Sequence, residues 1–263
     1  MFLQTPAENP TVQPETIFSI GNFPVTNAMI TASLVTVVFL IIALIAKKSS
    51  QKKYPGKLQT IFEIIVESFR NLLAQITGNR ERGDKLLPLI GALFLFVGLG
   101  NLIALLPGLT AITYNGLPLF RTATNDFNTT FALAMAVVIL THIVSLKQFG
   151  LFGHLGKFFK FKEVYLGFKK GIGEGVLSII DFLIGLLDIV SEVAKVISLS
   201  LRLFGNMFAG DILTVILFGA LAVLAPIPWL AMNLLVGVLQ ALVFGALSAA
   251  YYTLAIEVAE EQQ

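Results

Sequence analysis

Three long runs without a single Asp, Glu, Lys or Arg restrict what this chain can fold into. They cover residues 28–46, 86–106 and 127–146. Each run is close to the roughly 20 residues that an α-helix needs to cross the hydrocarbon core of a bilayer. The runs therefore predict an all-α membrane protein with several transmembrane helices. Alternating short strands, which a β-barrel would require, do not occur in the sequence.

The composition supports the membrane class and excludes other functions. Only 13% of the residues are charged, about half of the roughly 25% that is typical of soluble domains. The net charge of +2 gives no reason to expect a nucleic-acid partner, and the absence of cysteine excludes thiol chemistry. No residue pattern predicts a metal site or a cofactor.

The lysines predict which side of the membrane each segment occupies. Five lysines occur in residues 47–57, and the segment 145–171 mixes lysine with phenylalanine, whereas the loop 109–126 has one basic residue, Arg121. Because lysine and arginine favour the cytoplasmic side, we expect the first two segments inside and the loop outside. This distribution predicts five spans, with the N-terminus outside and the C-terminus in the cytoplasm.

Residues 1–263 are predicted to form a single membrane domain. The segment 57–78 has apolar residues at helical spacing with charged residues elsewhere on the wheel, which is typical of a helix lying on the membrane surface. The predicted elements are an extended lead-in at 1–25, spans at 26–46, 86–106 and 127–146, this surface helix at 57–78, and two long helices at 175–225 and 229–256 separated by "PIPW".

The helix predicted at residues 175–225 is too long and too charged for a simple span. About 50 helical residues measure roughly 75 Å, more than twice the thickness of the hydrocarbon core. The helix must therefore be strongly tilted, bent or partly outside the membrane. Its charged residues are Asp181, Asp188, Glu192, Lys195, Arg202 and Asp211.

A narrow polar stripe runs along this helix through Arg202. At about 100° per residue, Asp188, Lys195, Ser198 and Asn206 fall within about 40° of Arg202, and Asp211 falls about 180° away. Charged residues within a membrane are costly and usually functional. Snorkelling to the headgroups suits helix ends, but Arg202 is central. We therefore predict that Arg202 faces something outside the helix and that Asp211 faces the rest of the protein.

The last predicted helix carries neutral polar residues. Asn233 and Gln240 are seven residues apart and share one face. Such amides either join helices or take part in function, and the sequence leaves both interpretations open. A row of small residues at i+4 spacing predicts close packing against another helix; it consists of Gly237, Ala241, Gly245 and Ala249.

Four motifs resemble those of subunit a of F-type ATP synthases. The most specific is "SLSLRLFGNMFAGDI" at 198–212, and the others are "GLGNLIALLPG" at 98–108, "TNDFNTTFALAMA" at 124–136 and "LLVGVLQALVFGALSAAYY" at 234–252. The resemblance implies five spans plus a surface helix, with the last two helices forming a long tilted hairpin against a rotating ring of c subunits. It also implies proton translocation coupled to ATP synthesis, a location in a bacterial plasma membrane rather than an organelle inner membrane, and no cofactor. The implied partners are the c-ring, the peripheral-stalk b subunit, the rest of the ATP synthase and membrane lipid.

Residue roles follow from the same resemblance. Arg202 matches the essential arginine that faces the ring, with Asn206 and Gln240 close to it. Asp211 and Asn233 match the polar pair of the outer half-channel, and Asn101 matches an asparagine near that pair. The remaining candidates for the proton path are Asp188 and Ser198, which share the stripe of Arg202.

For Asp181, Glu192 and His142, the sequence favours positions outside the proton path. We interpret Asp181 and Glu192 as solvated residues near the cytoplasmic opening, although the sequence also allows Asp188 and Glu192 to line a cytoplasmic half-channel. His142 is assigned to the membrane interface rather than to a proton relay.

Two other classes of function remain as alternatives. A self-contained ion channel or secondary transporter would be expected to show an inverted repeat, and the sequence has no internal repeat. An intramembrane aspartyl protease needs two aspartates that face each other from different helices, whereas Asp188 and Asp211 share one helix. The sequence does not distinguish H⁺ from Na⁺ as the coupling ion.

Overall fold

The computed structural model describes residues 11–50, 56–104, 109, 112–220 and 226–260. Within these ranges the chain forms seven α-helices and two short β-hairpins, which confirms the all-α class. The helices are α1 (Asn27–Ser50), α2 (Lys57–Thr77), α3 (Arg80–Ala104), α4 (Phe127–Phe158), α5 (Phe161–Lys170), α6 (Ile172–Ala220) and α7 (Pro226–Glu260). One hairpin pairs β1 (Thr16–Ile20) with β2 (Phe23–Thr26), and the other pairs β3 (Thr113–Tyr114) with β4 (Leu117–Pro118).

Four of the helices are long and apolar enough to cross a membrane. These segments are Asn27–Lys48, Arg80–Ile103, Phe127–Lys147 and Ile227–Ile256. Together they make the chain a multi-pass membrane protein. The 49-residue helix α6 is not among the four, and it is also the helix with the most charged residues.

The helices extend beyond several of the predicted boundaries. Helix α4 does not end at residue 146 but continues to Phe158 through a kink at Gly150, where φ is +71°. Only glycine adopts this left-handed conformation without strain, so the kink lies where the sequence permits it. The lead-in is not simply extended, because part of it folds back as the β1–β2 hairpin. Residues 1–10, 105–106, 221–225 and 261–263, which include parts of the lead-in, the second span and the end of the helix predicted at 175–225, lie outside the described residues. The predicted break "PIPW" forms the first residues of α7, which begins at Pro226 rather than at residue 229.

The chain forms two compact units. Unit 1 comprises Met1–Thr130 and Leu201–Leu247, and unit 2 comprises Phe131–Ser200 and Ser248–Gln263. Most of the residues singled out from the sequence belong to unit 1, whereas Asp188 and Ser198 belong to unit 2.

Helices α2 and α3 form a tight helical hairpin in unit 1. A Cβ at Gly83 would lie 3.0 Å from the backbone nitrogen of Ala74, so the two backbones approach closely. The ring centroids of Phe69 and Phe94 are 4.4 Å apart. Helix α2 has an apolar face and a charged face, as predicted for the surface helix, and Leu73 on its apolar face is fully buried.

The row of small residues on α7 allows close contact with α3 in unit 1. A Cβ at Gly237 would lie 3.2 Å from the Cβ of Asn101, and one at Gly245 would lie 3.2 Å from the Cγ2 of Ile90. Ala241 is fully buried in the same row. The predicted close packing along this row is therefore confirmed, and it sets the distance at which polar groups on α3 meet α7.

In unit 2, helix α5 packs on the first turns of α6. A Cβ at Gly175 would lie 2.5 Å from the ring of Phe168, and the rings of Phe161 and Phe182 have centroids 4.9 Å apart. Glycine is needed at position 175 because a larger residue would displace the phenylalanine. This contact fixes where α6 begins.

Candidate functional site

Asp211 is held by an asparagine that sequence reasoning did not single out. The amide nitrogen Nδ2 of Asn125 donates a short hydrogen bond to Oδ2 of Asp211. Asn125 ends a 3-10 turn, Ala123–Asn125, whose three residues are all buried. The carboxylate of Asp126 caps the first turn of α4 by accepting from the backbone nitrogen of Asn128 at 3.0 Å. The "TND" part of the third sequence motif therefore builds the turn that reaches Asp211.

Asn101 connects three elements of unit 1. Its side chain is fully buried, donates to the carbonyl oxygen of Gly237 at 3.1 Å and accepts from the hydroxyl of Thr124 at 2.6 Å. Both halves of the amide are thus satisfied, by α7 and by the 3-10 turn. Because Thr124 and Asn125 are neighbours in this turn, Asn101 anchors the segment that holds Asp211.

Asn233 bonds to a residue of α6 other than Asp211. Its Nδ2 donates to Thr214 Oγ1 at 3.2 Å, and Trp229 Nε1 donates to the same oxygen at 3.0 Å. Thr214 lies three residues beyond Asp211. The Oδ1 of Asn233 would lie 3.1 Å from a Cβ at Gly210, so glycine lets this amide approach the α6 backbone. Asn101 and Asn233 were predicted to lie near Asp211. Asn101 bonds to Thr124, the neighbour of the Asn125 that holds Asp211, and Asn233 bonds to Thr214, which follows Asp211 on α6.

Arg202 differs from every other site residue of unit 1 in being exposed and unpaired. Within the described part of that unit, no acidic side chain lies within ion-pair distance of its guanidinium, which is exposed on α6. One turn further along, Asn206 Nδ2 donates to Gln240 Oε1 at 2.6 Å. Gln240 is only 5% exposed, so this bond joins α6 to α7 beside Arg202.

Two buried polar atoms of this region have no hydrogen-bond partner among the described residues. They are Oδ1 of Asn125 and Nε2 of Gln240. Buried polar groups are nearly always paired, with protein or with ordered water. One of these atoms is next to Asp211 and the other is next to Asn206, so both polar clusters retain an unused hydrogen-bonding position.

A second arginine acts on the Asp211 side of unit 1. Burial lowers the pKa of Arg121, and attraction to Asp211, Glu15 and Asp126 opposes that shift. The guanidinium donates to the carbonyl oxygens of Thr11 and Gln13, at 2.5 and 2.9 Å. The single basic residue of the loop 109–126 therefore ties the lead-in to the loop that precedes α4, a role that the sequence pattern did not indicate.

The candidates in unit 2 fall into two groups. Asp188 is half-buried and Ser198 is exposed, and neither makes a hydrogen bond or ion pair with the described residues of its unit. Glu192, which the sequence left open between a solvated residue and a lining residue of a cytoplasmic half-channel, is largely shielded from solvent. Its side chain is only 12% exposed and its Oε1 accepts from Lys195 Nζ at 2.8 Å. Asp181 is exposed, as predicted.

Comparison with known proteins gives a consistent result. The profile of the family described as "ATP synthase A chain" matches residues 28–253. The protein "ATP synthase subunit a" of Geotalea daltonii is 33% identical over 218 residues, which cover 83% of this chain and 82% of that protein. The one from Moorella thermoacetica is 31% identical over 241 residues, covering 91% and 95%.

A further relative extends the same pattern. The protein "ATP synthase subunit a 1" of Syntrophotalea carbinolica is 34% identical over 233 residues, covering 89% of this chain and 85% of that protein. The matched region includes every candidate site residue of α3, α6 and α7. On the strength of this match, the chain belongs to the ATP synthase A chain family, that of subunit a of the F-type enzyme.

Proposed function

We propose that this chain is the proton-translocating stator subunit of an F-type ATP synthase. In this proposal it offers two offset half-channels and one arginine to a rotating c-ring, and proton flow through them drives ATP synthesis. The observation that carries the proposal is the contrast along α6. Arg202 is exposed and has no acidic partner among the described residues of its unit, whereas Asp211 is bonded to Asn125 within the protein.

The role of Arg202 follows from its chemistry. A guanidinium stays protonated at any physiological pH and cannot pass a proton on. Opposite a carboxylate of the ring, it would stabilise the ionised form. That carboxylate would give up its proton before passing Arg202, take another from the second half-channel, and return to lipid as the neutral acid, because an isolated charge is very costly there. Arg202 therefore acts as the gate between the half-channels.

The outer half-channel in this proposal is built around Asp211. Asn125 holds the carboxylate, while Asn101 and Asn233 stabilise the surrounding turns through Thr124 and Thr214. The unpaired Oδ1 of Asn125 is a suitable acceptor for a water molecule, which would continue the path. Each proton that crosses a potential of about 100 mV delivers about 2.3 kcal/mol, so several are needed for each ATP.

The pair formed by Asn206 and Gln240 supports the ring-facing surface. Their bond fixes two amides beside Arg202, and Nε2 of Gln240 has a donor to spare among the described contacts. Asp188 and Ser198 share the sequence stripe of Arg202, and we assign them to the cytoplasmic half-channel.

The proposed topology has five spans in a bacterial plasma membrane, with the N-terminus outside and the C-terminus in the cytoplasm. The chain is proposed to be one membrane domain in which α6 and α7 form the tilted hairpin against the c-ring, with the b subunit and membrane lipid as further neighbours. Because the chain has no cysteine, single cysteines can report its orientation in vesicles. Ser19→Cys should react only from outside and Glu63→Cys only from the cytoplasmic side, and labelling of both from one side would contradict the topology.

The decisive experiment replaces Arg202 by lysine in the whole complex. If any positive charge sufficed, Arg202→Lys would support coupled synthesis. We expect it to abolish synthesis in reconstituted vesicles under an imposed potential. Once the c-ring covers this position, an ammonium deprotonates more easily than a guanidinium, and it lacks the planar fork of arginine. Arg70→Lys, the same change on α2 of unit 1, is the matched control and should support normal synthesis. Normal coupled synthesis with Arg202→Lys would overturn the proposed gate.

A further inference from the structure

The β1–β2 hairpin of unit 1 has an apolar face that is exposed. In its antiparallel register, Phe18 lies opposite Val25 and Ile20 lies opposite Phe23. Side chains directly opposite each other, and those two apart on one strand, point to the same face. The four residues therefore form one face, on which Phe18, Ile20 and Phe23 are 45%, 69% and 58% exposed. A contiguous apolar patch on a surface marks a site of contact with a membrane or with another protein.

The opposite face of the hairpin has different chemistry. Ser19 lies opposite Pro24, and beyond a bulge Thr16 lies opposite Thr26. The hairpin is thus amphipathic, with a polar face that carries hydroxyl groups. Neither face is charged, because residues 16–46 contain no Asp, Glu, Lys or Arg. The uncharged run that contains α1 therefore extends back through the whole hairpin, and it is longer than the about 20 residues that a span needs.

The hairpin joins a candidate membrane span without a linker. Strand β2 ends at Thr26, and α1 and its span begin at Asn27. The backbone nitrogen of Asn27 donates to the carbonyl oxygen of Glu15 at 3.0 Å. Just before Glu15, the carbonyl oxygens of Thr11 and Gln13 accept from Arg121. The base of the hairpin is therefore held at the level where α1 enters the membrane.

The span that carries the hairpin is the most exposed of the four described spans. Only 17% of its most apolar stretch is buried, against 28–39% for the other three. Its exposed apolar residues run along the helix from its first turns to its last, and they include Met29, Val37, Leu40 and Leu44. Such a surface suits contact with acyl chains, and the apolar face of the hairpin lies at its N-terminal end.

We propose that the apolar face of the β1–β2 hairpin docks on the lipid bilayer, at the boundary between headgroups and acyl chains beside the N-terminal end of α1. By the topology proposed above, this is the outer leaflet. The inference is independent of the proposed gate and half-channels. Because the face has no charge, the hairpin recognises the apolar part of the boundary and not the charge of a headgroup.

The open edges of the hairpin determine how deeply it docks. Among the described residues this sheet has two strands, so each strand has one edge of unpaired backbone groups. Such groups are very costly in the hydrocarbon core, which excludes deep insertion. Amphipathic segments at the interface bury their apolar face by about 5–10 Å, where water still reaches the polar side. A two-stranded hairpin is also only marginally stable in water, and a docking surface offsets that weakness.

The test places a nitroxide spin label on each face of the hairpin in turn. The chain has no cysteine, so Ile20→Cys and Phe23→Cys label the apolar face, and Ser19→Cys labels the opposite face as the matched control. The whole complex is reconstituted in vesicles, and the unchanged complex treated with the same label gives the background. Electron paramagnetic resonance then measures the accessibility of each label to O₂, which concentrates in lipid, and to a neutral nickel chelate, which concentrates in water.

We expect the ratio of O₂ accessibility to chelate accessibility to be several-fold higher at positions 20 and 23 than at position 19. The ratios should be the same in vesicles of zwitterionic lipid and in vesicles that also contain anionic lipid. Positions 20 and 23 are separate labels on one face, so either suffices if the other complex does not assemble.

A charge on the apolar face should weaken the docking. Ile20→Asp puts a short carboxylate opposite the label at position 23, and a short side chain cannot reach water by snorkelling as lysine does. We expect the chelate accessibility of that label to rise. Ser19→Asp, the same change on the opposite face, should leave it unchanged.

Three results would overturn the inference. High chelate accessibility at positions 20 and 23 would show that water covers the face, and low accessibility to both reagents would show that a protein partner covers it. Equal ratios on the two faces would show that the hairpin does not dock by one side. None of these measurements requires ATP synthesis, so a failure of the gate at Arg202 leaves the result unaffected. Labelling of Ser19→Cys from the cytoplasmic side alone would contradict the proposed topology and would change only the leaflet.

Discussion

Two arginines of unit 1 show opposite ways of placing a guanidinium. Arg70, on α2, donates two hydrogen bonds to the carboxylate of Asp84, at 2.7 and 2.6 Å, and lies 3.4 Å from Glu67. The bonds to Asp84 raise the pKa of Arg70 still further above its usual range. Arg202, on α6, is exposed without an acidic partner in the described part of unit 1.

The difference separates a charge that joins elements from a charge that is available to another molecule. The bidentate bond of Arg70 holds α2 to α3, and nearby Glu67 also accepts from Arg80 at 3.0 Å, so these four charges are paired with one another within the chain. No acidic side chain in the described part of unit 1 balances Arg202 in this way. An unpaired arginine in a membrane helix is costly, and a carboxylate on a partner would offset that cost.

The largest expected effect comes from removing the unpaired charge altogether. Arg202→Ala should reduce ATP synthesis by about 100-fold or more, the range for the loss of a preorganised charge at a reacting group. It should also let protons leak passively, since carboxylates of the ring could then pass the site protonated. Both quantities are measurable in reconstituted vesicles under an imposed potential. If the Arg202→Ala complex neither makes ATP nor leaks protons, Arg202 does not block the passage of protonated ring carboxylates. The contrast with Arg70 would then not identify a gate.

An intermediate effect is expected where a carboxylate is bonded inside the chain but still exchanges protons. Asp211→Asn should slow proton-driven synthesis by about tenfold, since the amide cannot carry a proton. Asn125→Ala should cost about threefold, because water can replace its hydrogen bond. The control is Asn128→Ala, an exposed amide of the same segment. A wild-type rate in Asp211→Ala would remove Asp211 from the proton path.

The smallest effect is expected at the paired arginine. Arg70→Gln should leave coupled synthesis unchanged and lower the thermal stability of the purified complex only slightly, because exposed ion pairs contribute little. Asp84→Asn should have the same effect, since either change breaks the same pair. If Arg70→Gln uncoupled synthesis as Arg202→Ala does, pairing within the chain would be no guide to function in this protein.

Much of the architecture was predictable because the membrane imposes strict rules on sequence. A span needs about 20 apolar residues, so the uncharged runs predicted α1, α3 and α4, and helical spacing predicted the surface helix α2. The extension of α4 to Phe158 was missed, since a glycine kink lets a helix continue where composition indicates an interfacial segment. The hairpin in the lead-in was missed because its strands are short.

For the candidate site, the sequence by itself determined which side chains are unusual and on which face of α6 each lies. An arginine amid apolar residues is costly wherever the helix packs, and the angle of about 180° between Arg202 and Asp211 follows from helical geometry alone. The sequence also predicted that the row of small residues on α7 packs closely against another helix, and the structure identifies that helix as α3.

Only the tertiary structure decided which partners those side chains have. Asn125 reaches Asp211 from a turn 86 positions earlier in the chain, Thr124 reaches Asn101, and His142 meets Glu192 across two helices. Hydrogen bonds act over about 3 Å. Whether two side chains come that close depends on how the helices cross and on the course of the turns, and neither follows from a periodic sequence pattern. For that reason Glu192, interpreted as solvated from its sequence, is only 12% exposed and bonded to Lys195, and Arg202 has no acidic partner among the described residues of unit 1.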